Sequence, residues 1–274
     1  DTSEFGLSTA INWSTNENEV TDLFGTESIN LSPGASVSSR AVVGYPLGSL
    51  YGTGSQTNPD GSFILNSNGF PQITSSPIVL GDPNPDWRGG ISLSMRYKKF
   101  RLNAVLEHSE GGDFSPRTLW VLRRFGTTQE TANRITLDQP LVNYRGNTIP
   151  AGTTVRGNIK DFGGGPVLLD ENWYRTGIGG GFGDNQAYNF SIADATFTKL
   201  RDLSLSYVID TPLVTNIGLS DVIVSLTGRD LININKVEGI DPEINTKGVS
   251  VAQGVEYFTN PQTKGFLVSL TINY

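Results

Sequence analysis

One histidine, His108, and no cysteine leave few ways to assemble reactive chemistry in these 274 residues. A Ser-His-Asp triad or a multi-histidine metal site would have to be built around that single imidazole. The alternation around His108 instead makes it a member of an apolar row near the outer rim of a β-structure. Asp241-Pro242-Glu243, together with Asp230, offers oxygen ligands of the kind that suit calcium, but the same run also reads as a structural turn, the simpler account. Gly177-Ile-Gly-Gly-Gly-Phe182 carries Phe where the third glycine of a dinucleotide fingerprint should stand and has no strand–helix context, so it reads as loop. Paired carboxylates for glycoside hydrolysis need a fixed separation, and no stretch here fixes one. What remains is recognition. Arg117, Arg123 and Arg124, near Trp120, could bind an acidic ligand or a partner loop, or could line a solvated helix face packed on Leu119 and Leu122. Trp173, Tyr174, Phe182 and Tyr188 could stack on a sugar, form an interface or pack their loop onto itself; the expectation is a surface facing a lid. No enzyme activity, catalytic residue, cofactor or metal is expected, a structural calcium in the loops being the outside case.

The elements that must position such residues are strands. From Gly265 to Tyr274, Phe266, Val268, Leu270, Ile272 and Tyr274 alternate with Leu267, Ser269, Thr271 and Asn273, so one face of an extended segment is wholly apolar. An apolar row with no polar tail, closed by an aromatic, looks like the last strand of an outer-membrane β-barrel, where it also resembles the signal read by the insertion machinery. Ser3 to Trp13 alternates in the same way. The clearest hairpin sets Ile91, Leu93, Met95 and Tyr97 against Phe100, Leu102, Ala104 and Leu106, with Lys98-Lys99 as a two-residue turn and an aromatic at each flank. Further strands are expected at Ala41 to Tyr51, Phe197 to Ile209 and Asp221 to Leu231. Between them Ser115-Pro116 reads as the N-cap and first residue of a short helix, Arg117 to Arg124, with Gly126 as its stop.

That makes seven strands. With Tyr274 placed on the periplasmic side, the ends at Lys98-Lys99 and at Asp210 to Asp221 become periplasmic. The loops 52–86, 110–194 and 232–264 become extracellular, the asymmetry that outer-membrane barrels show, and only 15–40 is longer than expected. Seven strands leave an edge unsatisfied in lipid, so the chain is expected to be part of a larger barrel. Composition agrees with this. No run of 18 apolar residues exists for a helical span, whereas a barrel strand needs only about 9 to 11 residues, every second one apolar. The formal net charge of -7 argues against nucleic acid as a partner. Asp1 opens without a signal peptide, so the chain is expected to be processed or a fragment.

Three blocks then carry a family resemblance: Ala195-Thr-Phe-Thr-Lys-Leu-Arg-Asp-Leu-Ser-Leu-Ser-Tyr207, Gly228-Arg-Asp-Leu231 and Gly239-Ile-Asp-Pro-Glu243. With Gly44-Tyr-Pro-Leu-Gly-Ser-Leu-Tyr-Gly52 and Gly81-Asp-Pro-Asn-Pro-Asp86 ahead of them in order, the chain resembles the carboxy-terminal region of the SusC/RagA-like TonB-dependent transporters of the Bacteroidota outer membrane. The resemblance implies an all-β fold, a transmembrane antiparallel barrel of roughly 22 strands with long extracellular loops, of which residues 1–274 are the last seven or so. It implies an amino-terminal plug and TonB-contacting segment outside this chain, a SusD-like surface lipoprotein as partner, and import of bulky oligosaccharide or peptide. Two alternatives stand beside that: the same barrel as a structural subunit of an outer-membrane assembly or secretion complex, and a soluble all-β binding domain. Two departures are Asp230, where the family commonly has Asn, and Asn58-Pro59-Asp60-Gly61, where an acidic calcium-loop-like segment is often found.

Overall fold

The computed structural model describes residues 4–32, 36–177, 186–237, 239–246, 248 and 252–274. Six long strands form one sheet: β1 (Phe5–Ser14), β2 (Trp87–Tyr97), β3 (Phe100–Glu110), β4 (Phe197–Ile209), β5 (Asp221–Asn235) and β6 (Gly265–Asn273). They lie in sequence order, each antiparallel to the next. Among the described residues β1 and β6 do not pair with one another, so the sheet is open.

The alternation in the sequence becomes continuous rows because the register keeps like beside like. Leu7, Met95, Leu102, Leu205, Leu226 and Val268 lie side by side across all six strands. The neighbouring row toward the short turns is Phe5, Tyr97, Phe100, Tyr207, Val224 and Leu270, with the Phe100 and Tyr207 ring centroids 4.7 Å apart. On the opposite face the rows are Gly6, Arg96, Arg101, Ser206, Ser225, Ser269 and Ser8, Ser94, Asn103, Ser204, Thr227, Leu267. A one-residue slip would exchange the two faces, so the register is tightly specified.

The apolar face is left open. Phe266 is 75% exposed, Val268 71% and Ile11 75%, in a continuous field of large apolar side chains. A water-soluble monomer rarely exposes such a patch beyond a few hundred Å². The field, with an aromatic row at its turn end, matches a surface that meets lipid and its interface. No helix among the described residues is long and apolar enough to cross a membrane.

Strand direction also sorts the connections. Lys98-Lys99 and 210–220 lie at one end of the sheet, whereas 15–86, 111–196 and 236–264 all leave from the other. One expectation is corrected here. The stretch Ala41 to Tyr51 is not a strand of the main sheet, so six strands stand where seven were expected. Gly44 at φ +80° and Gly48 at φ +90° put left-handed turns inside it, a conformation that glycine alone adopts freely, and so break an otherwise alternating pattern. Its ends belong to a separate four-stranded sheet, Ser28–Ser32, Ser38–Val42, Ser49–Gly52 and Ile78–Gly81. The correction removes the one anomaly in the topology, since 15–86 becomes a single long connection at the same end as the others.

The long connections fold together as a layer. Val37, Leu50 and Leu80 of the first, Trp120, Tyr188 and Ile192 of the second and Val255 of the third share one core. A second core joins Phe63, Leu65 and Phe70 to Tyr144, Phe162, Trp173, Tyr174 and Phe190. A short three-stranded sheet of Ala193–Asp194, Asp113–Pro116 and Val255–Glu256 ties the second connection to the third. Together the connections bury enough apolar surface to hold one arrangement.

Candidate functional site

The three motif blocks meet where the third connection turns back onto the polar face of the sheet. In β4 the register with both neighbours shifts between Leu200 and Asp202. This bulge inserts Arg201 as an extra residue and brings it to the same side as Lys199. On β5 the shift is absorbed at Asp230, which sits at φ +50°, a left-handed position that Asp and Asn tolerate better than other side chains.

Lys199 is 1% exposed. Its ammonium donates to both oxygens of Asp241 at 2.8 and 2.6 Å, to Glu243 Oε2 at 2.7 Å and to Gln262 Oε1 at 3.2 Å. Arg201 donates to Glu107 at 2.7 Å and to the other oxygen of Glu243, and lies 3.6 Å from Asp230. Asn233 Nδ2 and the backbone N–H of Glu243 complete the shell of Asp241 at 3.0 Å each. Burial alone would raise the Glu243 carboxyl, but the hydrogen bonds and charges of Arg201 and Lys199 outweigh it and hold it at about 2. The oxygens that could have held calcium are thus engaged by two side-chain cations. Among the described residues no group of three or more acidic or histidine side chains is arranged to hold a metal ion. Asp60, in the other candidate loop, spends its carboxylate on the backbone and hydroxyl of Ser62 in a tight turn.

The single histidine is likewise engaged. His108 Nδ1 lies 2.8 Å from Thr198 Oγ1, Nε2 lies 2.9 Å from Glu110 Oε2, and the ring packs 4.8 Å from Trp87. It sits on the apolar side of β3 near the loop end, opposite Gly89 and Thr198.

The expected recognition residues come out differently from the sequence expectation. Trp173, Tyr174 and Tyr188 are buried in the shared cores, Tyr188 stacked on Trp120 at 5.7 Å and Trp173 tilted against Phe70 at 5.5 Å, so they pack the loops rather than face a lid. Burial and the neighbouring Glu130 push the Tyr174 hydroxyl up to about 12. Phe182 and most of the glycine run lie outside the described residues.

The three arginines lie within a single helix, α1 (Arg117–Arg124), and do not converge. Arg117 is buried with its guanidinium 4.5 Å from the Tyr257 ring, Arg123 lies 2.9 Å from Glu130, and Arg124 donates to the carbonyl of Arg175 at 2.8 Å. A cleft of about 490 Å³ beside Arg123 and Arg124 is also lined by Asp170 and Glu171, so its charge is mixed. Gly126 ends the helix as expected, at φ +70°, with the Thr127 N–H reaching back to Leu122 at 3.0 Å. The start is a correction. Pro116 holds the N-cap position, and the Ser115 hydroxyl finds no partner among the described residues. The cap comes from the third connection, where buried Glu256 accepts from the Thr118 N–H at 3.1 Å and its hydroxyl at 2.6 Å. Sequence reasoning missed both Glu256 and Lys199, since Thr118 lies 138 positions from Glu256 and Asp241 and Glu243 lie 42 and 44 positions from Lys199.

Comparison with known proteins places this arrangement. No family model matches the chain. It is 23% identical over 304 residues to the TonB-dependent receptor P3 of Formosa agariphila, covering 99% of this chain and 27% of that protein. Its fold matches the RagAB peptide transporter with a TM-score of 0.60 at 18% identity, covering all of this chain and 28% of the other. The RagAB peptide importer in its open-open state matches with a TM-score of 0.58 at 16% identity, again over all of this chain and 27% of the other. The chain therefore spans about a quarter of the length of the relatives it matches. Along its whole length the chain is thus similar to a stretch of a TonB-dependent receptor, and it shares the fold of the matching part of the RagAB peptide transporter.

Proposed function

We propose that this chain is a segment of the wall of an outer-membrane, TonB-dependent transporter barrel, with the long connections on the extracellular side and the carboxy-terminus periplasmic. The observation that carries it is the exposed apolar field spanning all six strands in register, with every long connection at one end. Lipid covers that field, and the row of Phe5, Tyr97, Phe100 and Tyr207 lies at the periplasmic interface. The remaining strands of the same barrel close the open sheet. The loop layer is the face a SusD-like surface lipoprotein covers, and the cargo is a bulky nutrient, oligosaccharide or peptide, moved without bond chemistry. The plug and the segment that contacts TonB belong to the rest of the protein.

The test uses the whole protein in its native outer membrane. Uptake of a labelled oligosaccharide and a labelled peptide pool is measured with TonB present and depleted, after checking that the folded protein migrates faster on gels before boiling than after. TonB-dependent uptake of either cargo supports the proposal. A heat-modifiable barrel whose loss alters assembly or secretion but no uptake would favour the structural-subunit reading.

A further inference from the structure

The cleft of about 490 Å³ at the end of α1 combines side chains of both charges with one uncovered ring. Phe125 lines it and is 69% exposed. That residue serves the helix end through its backbone, whose N–H donates to the Val121 carbonyl at 3.0 Å, and the ring is left over. The polar side chains around it are fixed by the protein itself. Arg156 donates Nε to the Thr131 carbonyl and one Nη to the Gly126 carbonyl. Asp170 accepts from Asn143 Nδ2 at 2.8 Å and from the Asn172 N–H at 2.9 Å. Glu171 pairs with Arg175 at 2.8 Å. A carboxylate has about four acceptor positions and a guanidinium five donors, so bonding capacity remains on both after these contacts. By contrast, the larger cleft of about 750 Å³, which holds Glu17, Glu19, Asp82 and Asp86, has no aromatic in its lining.

We propose that this cleft binds a neutral glycan, one pyranose ring lying on Phe125 while its hydroxyls bond to Arg156, Asp170 and Glu171. The inference rests on the reading of the loop layer as the extracellular face, and it selects oligosaccharide from the two cargo classes given there. Mixed charge is what selects the ligand. A free anion would be repelled by Asp170 and Glu171, and a free cation by Arg123, Arg124 and Arg156. A hydroxyl is donor and acceptor at once and carries no charge, so it gains from both walls and is repelled by neither. The C–H face of a pyranose suits the negative face of an aromatic ring, and the volume falls within the range of small-ligand sites. A peptide gains less, because its termini bring whole charges to groups that already have partners.

The whole protein, purified in detergent, is applied to an array of neutral glycans, acidic glycans and peptides, in native form and as Phe125→Ala and Phe125→Trp. The expected result is binding of neutral glycans, weakened about tenfold or more by Phe125→Ala. Phe125→Trp should keep the binding, and its added indole emission should shift as the bound glycan is titrated in. No binding of neutral glycans, binding of acidic glycans or peptides alone, or equal binding by Phe125→Ala and the native protein would overturn the proposal. Should Phe125→Ala fail to assemble, Phe125→Leu, which keeps apolar bulk without a ring, takes its place. Heat-modifiable migration of the same samples tests the barrel separately. A protein that binds neutral glycans through Phe125 but is not heat-modifiable would overturn the barrel reading and leave the cleft standing; a heat-modifiable one that binds no neutral glycan would overturn the cleft alone.

Discussion

Replacing Lys199 with Met removes the ammonium at the centre of the charge cluster while keeping a side chain of similar length. Asp241 and Lys199 are both buried, and removing one partner of a buried pair typically costs about 3–5 kcal/mol, because the other charge is stranded. The lower end applies here. Asp241 keeps two neutral donors, Asn233 and the Glu243 N–H, while Glu243 keeps Arg201. The cost, about 3 kcal/mol, falls on the docking of 236–264 against the sheet, so amide exchange across that connection should speed up roughly 100-fold. Hydrogen-exchange mass spectrometry on the folded barrel in detergent reads this directly, with β2 and β3 as the internal reference. Adding Asp241→Asn to Lys199→Met removes the stranded charge and should return exchange to within about tenfold of the native rate. If Lys199→Met leaves exchange unchanged, or the double variant is as open as the single one, the cluster does not hold the third connection.

The pH dependence of the same docking has a definite sign. The Glu243 carboxyl is held at about 2 against an ordinary value of 4.5, so its contribution is complete above 4.5 and is lost as pH falls between 4.5 and 2. Protection of 236–264 should therefore survive mild acid such as pH 5 and weaken toward pH 2; loss of protection near pH 6 would contradict the cluster. Glu256→Gln leaves one acceptor where two oxygens now serve Thr118 and Thr259, and should loosen α1 by about 1 kcal/mol, seen as faster exchange of Arg117–Arg124 with no change in the strands. Val268→Arg on the apolar face of β6 should cost about 2–4 kcal/mol of folding into bilayers, with Ser269→Arg on the other face costing much less; equal effects would mean that lipid does not cover that face.

Much of the sheet is legible in the sequence because a strand with one apolar face writes its period directly into residue type. β1, β2, β3, β4 and β6 lie close to where alternation puts them, and Lys98-Lys99 is the turn it suggests. The failures share one cause, a dependence on distant residues. Ala41 to Tyr51 alternates like a spanning strand, and only Gly44 and Gly48 in left-handed turns reveal that it bends away. Ser115-Pro116 has the signature of a helix start, but the donor at Thr118 is satisfied by a carboxylate 138 positions further on.

The sequence by itself determined that this is an all-β chain with one wholly apolar face, and its ordered motif blocks pointed to the SusC/RagA-like family, because strand period and local motifs are properties of neighbouring residues. Tertiary structure alone decided that the three long connections form a single packed layer. It also decided that Trp173, Tyr174 and Tyr188 belong to that layer's cores and that Lys199 and Arg201 neutralise Asp241 and Glu243. Those outcomes depend on which surfaces meet once the strands have paired, and no local pattern encodes a contact between residues more than forty positions apart.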